Sequence, residues 1–153
     1  MMNKGFTLIE LMIVVAIAMV LTTVGVMAVG RRMENNAITR VRTELPTYIL
    51  GVLDRAFTEG RSYTIVLTAD GEMTLSNGNA DIETVEFPDN LIYTLTPANL
   101  GNSVTIGERG EFQLGAETQF IITVTTRSGT RVMRITGSNI AGINLGRIVV
   151  VNN

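Results

Sequence analysis

The sequence predicts an α+β fold, a long amino-terminal helix followed by an antiparallel β-sheet or sandwich head, and three observations predict it. The run from Phe6 to Val29 holds a single charged side chain, Glu10. Behind it, apolar residues from Ala37 to Phe57 recur at three- and four-residue spacing, the stripe of an amphipathic helix. From Ser62 onward the apolar period changes to two, and turns rich in Gly, Asn and Asp separate short alternating segments.

The first element is long enough to cross a bilayer. Its 24 residues, Phe6 to Val29, cover roughly 36 Å as a helix, against about 30 Å of hydrocarbon. A cleaved secretory signal fits poorly, because its apolar region should be shorter and should end at a small-x-small site. Here Ala16-Ile17-Ala18 falls in the middle of the run. A plain anchor fits the length but gives Glu10 nothing to do, and an acid in an apolar span is costly without a partner. The flanking charge gives no clean support to a plain anchor with its terminus inside. Lys4 stands alone before the run, while Arg31, Arg32, Arg40 and Arg42 follow it.

The second element continues the helix from residue 31 to about residue 60. Ala37, Val41, Leu45, Ile49, Val52, Leu53, Ala56 and Phe57 form its apolar face, with Arg40, Arg42, Glu44, Asp54 and Arg55 between them. Pro46 removes one backbone donor and should kink or locally break the helix, and Gly60 is the expected stop. Gly25 and Gly30 are points where the apolar half could bend or pack closely.

The head, residues 61–153, reads as short strands. Ser62–Thr68 and Glu72–Ser76 flank the turn Ala69-Asp70-Gly71, and Thr84–Phe87 precedes a Pro88-Asp89-Asn90 turn into Leu91–Thr96. Val104–Ile106 and Glu111–Leu114 form a second expected hairpin, and Gln119–Thr126 and Thr130–Thr136 a third. Arg147–Val151 is the last expected strand.

Composition narrows the chemistry. The chain has 153 residues with neither cysteine nor histidine, which removes disulfides, thiolate zinc sites, thiol nucleophiles and the commonest general base. No phosphate loop, zincin pair or nucleophile elbow is present, so neither an enzyme nor a cofactor is expected. Asn77-Gly78-Asn79-Ala80-Asp81-Ile82-Glu83 spaces its oxygens like a calcium loop but lacks the glycine and closing acid of an EF-hand, and reads as a polar hairpin loop. The net charge of −2 does not mark the whole chain as a nucleic-acid binder. The head is nonetheless bipolar. Residues 59–117 carry ten acids against Arg61 and Arg109, a balance of −8. From residue 118 onward there are four arginines and no acid, a balance of +4. Such a head could attract its own copies, or simply present solvated strand faces.

Lys4-Gly5-Phe6-Thr7-Leu8-Ile9-Glu10-Leu11 closely resembles the leader of bacterial type IV pilins and type II secretion pseudopilins. The resemblance implies residues 1–5 as leader peptide, 6–30 as transmembrane and assembly helix, 31–60 as amphipathic helix and 61–153 as head. It implies cleavage by a prepilin peptidase between Gly5 and Phe6, N-methylation of Phe6, and pairing of Glu10 with the terminal amine of a neighbouring subunit. Other pilin or pseudopilin subunits, an inner-membrane assembly platform and the lipid bilayer are the implied partners. The implied location is the inner (cytoplasmic) membrane, single-pass with the head exported, and then an extracytoplasmic filament. The helix of two halves also matches the lollipop layout of these pilins.

The head resembles the H-type minor pseudopilins and related minor pilins. The early hairpin, Phe87-Pro88-Asp89-Asn90-Leu91, Gly110-Glu111-Phe112 and the closing Gly146-Arg147-Ile148-Val149-Val150 carry this resemblance. The chain departs from many major pilins in lacking their carboxy-terminal cysteine pair. Because that branch includes DNA-binding minor pilins of natural competence, Arg127, Arg131, Arg134 and Arg147 are candidate DNA contacts, a thin set without interleaved aromatics. A single-pass anchor presenting a β-domain to a protein partner is the competing reading.

Overall fold

A long helix leads into two antiparallel sheets, so the predicted α+β fold is present. A computed structural model describes residues 7–78, 80–140 and 145–152, the side chains of 24–28 and 145 apart. Two compact units divide the chain, one reaching to Asn36 and the other Ala37–Asn153.

Helix α1 spans Leu8–Glu59. Pro46 does not break it. Proline costs only the bond its own nitrogen would have made, and Val41, Leu45 and Ile49 on either side are fully buried, which holds the flanking turns. The helix stops at Gly60, whose φ of 61° is open to glycine. The Arg61 N–H then reaches back to the Ala56 carbonyl at 3.2 Å, the six-to-one bond of a Schellman end. A side-chain clasp joins this end to the first strand. Arg55 Nε meets Glu59 Oε1 at 2.9 Å, the Tyr63 hydroxyl donates to Glu59 Oε2, and the Arg55 guanidinium lies over the Tyr63 ring. The Tyr63 hydroxyl, and after it Arg55, hold the Glu59 carboxyl below its usual range.

The predicted stripe is buried from Ala37 to Ala56, but Phe57 is not part of it and stays 65% exposed. At 3.6 residues per turn, Phe57 lies roughly 80° around the helix from Ile49, whereas Ala56 lies about 20° away. One residue therefore separates core from solvent.

Strands β1 (Tyr63–Leu67), β2 (Glu72–Ser76), β3 (Asp81–Glu86), β5 (Ser103–Ile106) and β6 (Phe112–Gln113) form sheet A in the order β3-β2-β1-β5-β6. Strands β4 (Leu91–Thr96), β7 (Gln119–Thr126), β8 (Arg131–Ile140) and β9 (Leu145–Asn152) form sheet B in that order. All described pairings are antiparallel, and the three predicted hairpins form as β1-β2, β5-β6 and β7-β8. Alternate residues such as Ile65, Met73, Tyr93, Phe120 and Ile135 point inward, and with the helix stripe they make one continuous core.

Several strand limits move. The third strand starts at Asp81 rather than Thr84, because its first residues are an acidic edge paired only to β2 and show no apolar alternation. Strand β6 shrinks to Phe112–Gln113, and β9 grows at both ends of the predicted Arg147–Val151. Strand β8 covers Arg131–Ile140 and so runs through Gly137, past the predicted end at Thr136. That glycine is required there: the Phe120 ring covers its α-carbon so closely that an added Cβ would collide with it. Phe120 in turn meets Phe112 of sheet A edge-on, with ring centres 4.8 Å apart. A bulge in β8 leaves Val132 without a cross-strand partner, so Val132 and Met133 are both buried in succession.

The two sheets are also joined by a polar tie. Asn139 of β8 accepts the Phe112 N–H on Oδ1 at 2.7 Å and donates Nδ2 to the Phe112 carbonyl at 2.8 Å. Its side-chain amide stands in for the strand that β6, at the edge of sheet A, lacks. Gly146 N adds a 2.8 Å bond to the Gly110 carbonyl beside it.

Candidate functional site

Glu10 occupies the first turn of α1, and its carboxylate is already engaged within its own chain. Oε2 accepts both the Thr7 N–H and the Thr7 hydroxyl at 2.9 Å, while the Glu10 N–H reaches Thr7 Oγ1 at 3.3 Å. This reciprocal pattern is a capping box, with Thr7 as N-cap and Glu10 three residues into the helix. It satisfies amides that a helix start leaves without partners. Sequence reasoning took Glu10 as a lone acid and missed Thr7. The signal was there in Thr7-Leu8-Ile9-Glu10, a Thr-x-x-Glu string just before an apolar run. Oε1 accepts no hydrogen bond among the described residues. Gly5 and Phe6, the expected cleavage and methylation positions, lie outside the described residues, as does Lys4.

Beyond Glu10 the helix is apolar on all sides. Every described side chain from Thr7 to Thr23 is exposed, Leu8 at 79% being the most open of the large apolar ones. Thr22 and Thr23 do not interrupt this surface with free hydroxyls, because each donates to the carbonyl four residues back, at 2.7 and 2.9 Å. A helix that is hydrophobic all round needs apolar surroundings. Among the described residues no helix is long and apolar enough to cross a membrane; the side chains of 24–28, inside the predicted span, are not among them.

In the head, register assigns the polar residues to two outward faces. On sheet B, Thr94, Thr123, Arg134 and Val151 form one cross-strand row, and Thr96, Ile121, Thr136 and Val149 the next. Arg131 opposite Thr125 and Arg147 opposite Ser138 lie on the same face. Three of the four candidate arginines are thus brought together on a sheet that contains no acid. Arg127 is set apart, in the β7-β8 turn, where it donates to the Asp89 carbonyl at 3.2 Å. Arg134 Nε is buried without an acceptor among the described residues.

On sheet A, Thr74 faces Thr84 and Thr64 faces Thr105, with hydroxyl oxygens 3.4 and 3.0 Å apart. Glu72 opposite Glu86, and Asp81 opposite Ser76, edge this face with acid. The string once read against calcium supplies the β2-β3 loop and the start of β3; Asn79 lies outside the described residues. Among the described residues no three metal-binding side chains come together.

The grooves offer little reactive chemistry. One groove, of about 960 Å³, has a charged rim of Arg40, Glu72, Glu86 and Asp89 beside β3. A smaller one between α1 and β3 is floored by Tyr48, Val85 and Phe87. Burial, and then the Glu83 charge, push the Tyr48 hydroxyl up, away from the phenolate form.

Residues 1–26 match the family model described as the prokaryotic N-terminal methylation motif. The match gives the chain a type IV pilin-like prepilin leader, the mark of a precursor of the pilin and pseudopilin type. Such a motif goes with processing by a prepilin peptidase and assembly with other pilin subunits, and points toward a structural subunit. No curated protein and no solved structure matches the chain.

Proposed function

We propose that this chain is a non-enzymatic minor subunit of a type IV pilus or a type II secretion pseudopilus, of the H-type branch. The precursor inserts once into the inner membrane with its terminus in the cytoplasm and its head exported. It is cut between Gly5 and Phe6, methylated on Phe6 and drawn from an assembly platform into a filament. The observation that carries this reading is the position of Glu10. It is the one charge on a helix surface that is otherwise apolar on every side, directly behind a matched leader. In a filament core the terminal amine of the next subunit would neutralise it, and because either charge alone is costly there, only one register satisfies both.

Intact-mass analysis of the membrane-extracted chain tests the first step. Loss of residues 1–5 with the gain of one methyl is expected, and an uncut Met1 terminus would refute the reading. For the second step, Glu10→Ala and Glu10→Leu should both be processed yet poorly incorporated; normal incorporation of either counts against Glu10 as the assembly contact.

A further inference from the structure

The edges of the two sheets are not alike. At one edge of sheet A, β3 is guarded. Glu83 stands opposite the buried Leu75 and so points a charge inward, and Arg40 Nη2 donates to the Glu86 carbonyl at 3.3 Å. At the other edge, β6 is capped by the Asn139 amide. In sheet B, the edge strand β4 gives its Tyr93 N–H to the Ala69 carbonyl at 3.1 Å and runs into Pro97. Strand β9, at the remaining edge, has none of these devices among the described residues. It runs Ile148-Val149-Val150-Val151, with no acid, lysine, proline or register shift.

The open side of β9 also has backbone to pair. The Gly146 N–H leaves the ladder for the Gly110 carbonyl at 2.8 Å. In an antiparallel ladder alternate residues turn both backbone groups the same way, so those of Ile148 and Val150 face away from β8. Among the described residues no hydrogen bond reaches them there. Unpaired strand backbone recruits another strand, and the side chains state which kind. Val149 and Val151 are exposed on the outer face, while Ile148 and Val150 are only partly covered on the inner one. Arg147 lies on the outer face of a sheet that holds no acid.

We propose that β9 is a strand-addition site, at which an extended segment of a different protein joins the four strands of sheet B. The segment is rich in β-branched residues and sets an acid opposite Arg147. A second copy of this chain fits poorly. Its own β9 would gather two sets of Arg131, Arg134 and Arg147 on one continuous face. Its acidic β3 would carry Glu83 to the inner, apolar side. The site uses residues of the head alone, so it stands or falls apart from the filament reading.

The probe is a short synthetic peptide alternating valine and threonine with one glutamate, added to the full chain in mild detergent. Residue-resolved hydrogen exchange is the measurement. Saturating peptide should slow the Ile148 and Val150 amides roughly tenfold. The same peptide, N-methylated on the amides that would face β9, should give no protection. Replacing its glutamate by lysine should weaken binding roughly two- to fivefold, and Arg147→Glu should reverse that preference. Val150→Pro removes an N–H that the β8 pairing does not use, so the head should stay folded while the peptide no longer protects Ile148. Should that variant fail to fold, the methylated peptide and the charge reversal decide. Protection that survives N-methylation or the proline, or a preference indifferent to Arg147→Glu, overturns the proposal. So does the absence of protection at millimolar peptide. Slow exchange of Ile148 and Val150 without peptide, deepening as the protein is concentrated, assigns the edge to a second copy and overturns it as well.

Discussion

Asn139 offers the sharpest test of how the head is held together. Its amide closes two hydrogen bonds, 2.7 and 2.8 Å long, onto both polar atoms of the Phe112 peptide groups that β6 turns toward β8. Phe112 is 2% exposed, but Asn139 is itself exposed and the two bonds are part-buried, so water replaces them only in part. Asn139→Leu leaves one donor and one acceptor without their partner, at less than the full penalty of about 1–3 kcal/mol each for a buried group. A loss of roughly 1–3 kcal/mol follows, against the 5–15 kcal/mol typical of a whole domain. Asn139→Asp separates the two bonds. The carboxylate still accepts the Phe112 N–H, but its second oxygen confronts the Phe112 carbonyl where a donor used to be. Protonation restores that donor. The facing carbonyl thus raises the folded-state pKa of the new acid above its unfolded value, and the stability it contributes is present in acid and lost as pH rises through the folded pKa. Thermal unfolding of the full chain in mild detergent, at pH 4 and pH 7, measures both. The unchanged asparagine does not titrate, so the stability gap between parent and Asn139→Asp should narrow at pH 4. A cost for Asn139→Leu below about 0.5 kcal/mol, or a gap that does not narrow, would refute the reasoning.

Gly137→Ala should cost about 1–3 kcal/mol by forcing the Phe120 ring off its seat, and a second change, Phe120→Leu, should make that glycine replacement nearly neutral in unfolding measurements. At the other end of the chain, Thr7→Ala should speed hydrogen exchange of the first-turn amides of α1 several-fold while Thr7→Ser does not, since the hydroxyl is the acceptor of the Glu10 N–H. Equal exchange in Thr7→Ala and the parent would dismiss the capping box.

The helix, its burial stripe and three hairpins were legible because each rests on local periodicity or on turn residues. The stripe failed only at Phe57, where spacing allows either side of the boundary and the packing of the last helical turn decides. Pro46 was over-read: one missing donor is minor when buried leucine, valine and isoleucine clamp the turns around it. The strand was ended too early, at Thr136, since nothing in the neighbours of Gly137 announces that the Phe120 ring seventeen positions before it requires the empty space. The division of strands between two sheets was not legible at all, because the exchange of β4 for β5 depends on pairings between distant segments. The arginines were visible as a cluster in sequence. Their union on one face needed the register of β7, β8 and β9, and so did the separation of Arg127 from the rest. Thr7, by contrast, was readable from four residues and was overlooked beside its more conspicuous neighbour.

The capping box has a consequence for timing. A glutamate side chain on an exposed helix ordinarily samples many rotamers, and any partner that binds it must first freeze them. Here two bonds from Thr7 have already fixed the carboxylate through Oε2, and Oε1 accepts no hydrogen bond among the described residues. That ordering is completed when the helix forms. On the proposed filament reading an incoming ammonium would meet a prealigned receptor, and a threonine at that position would shorten its search as surely as the acid would supply the attraction.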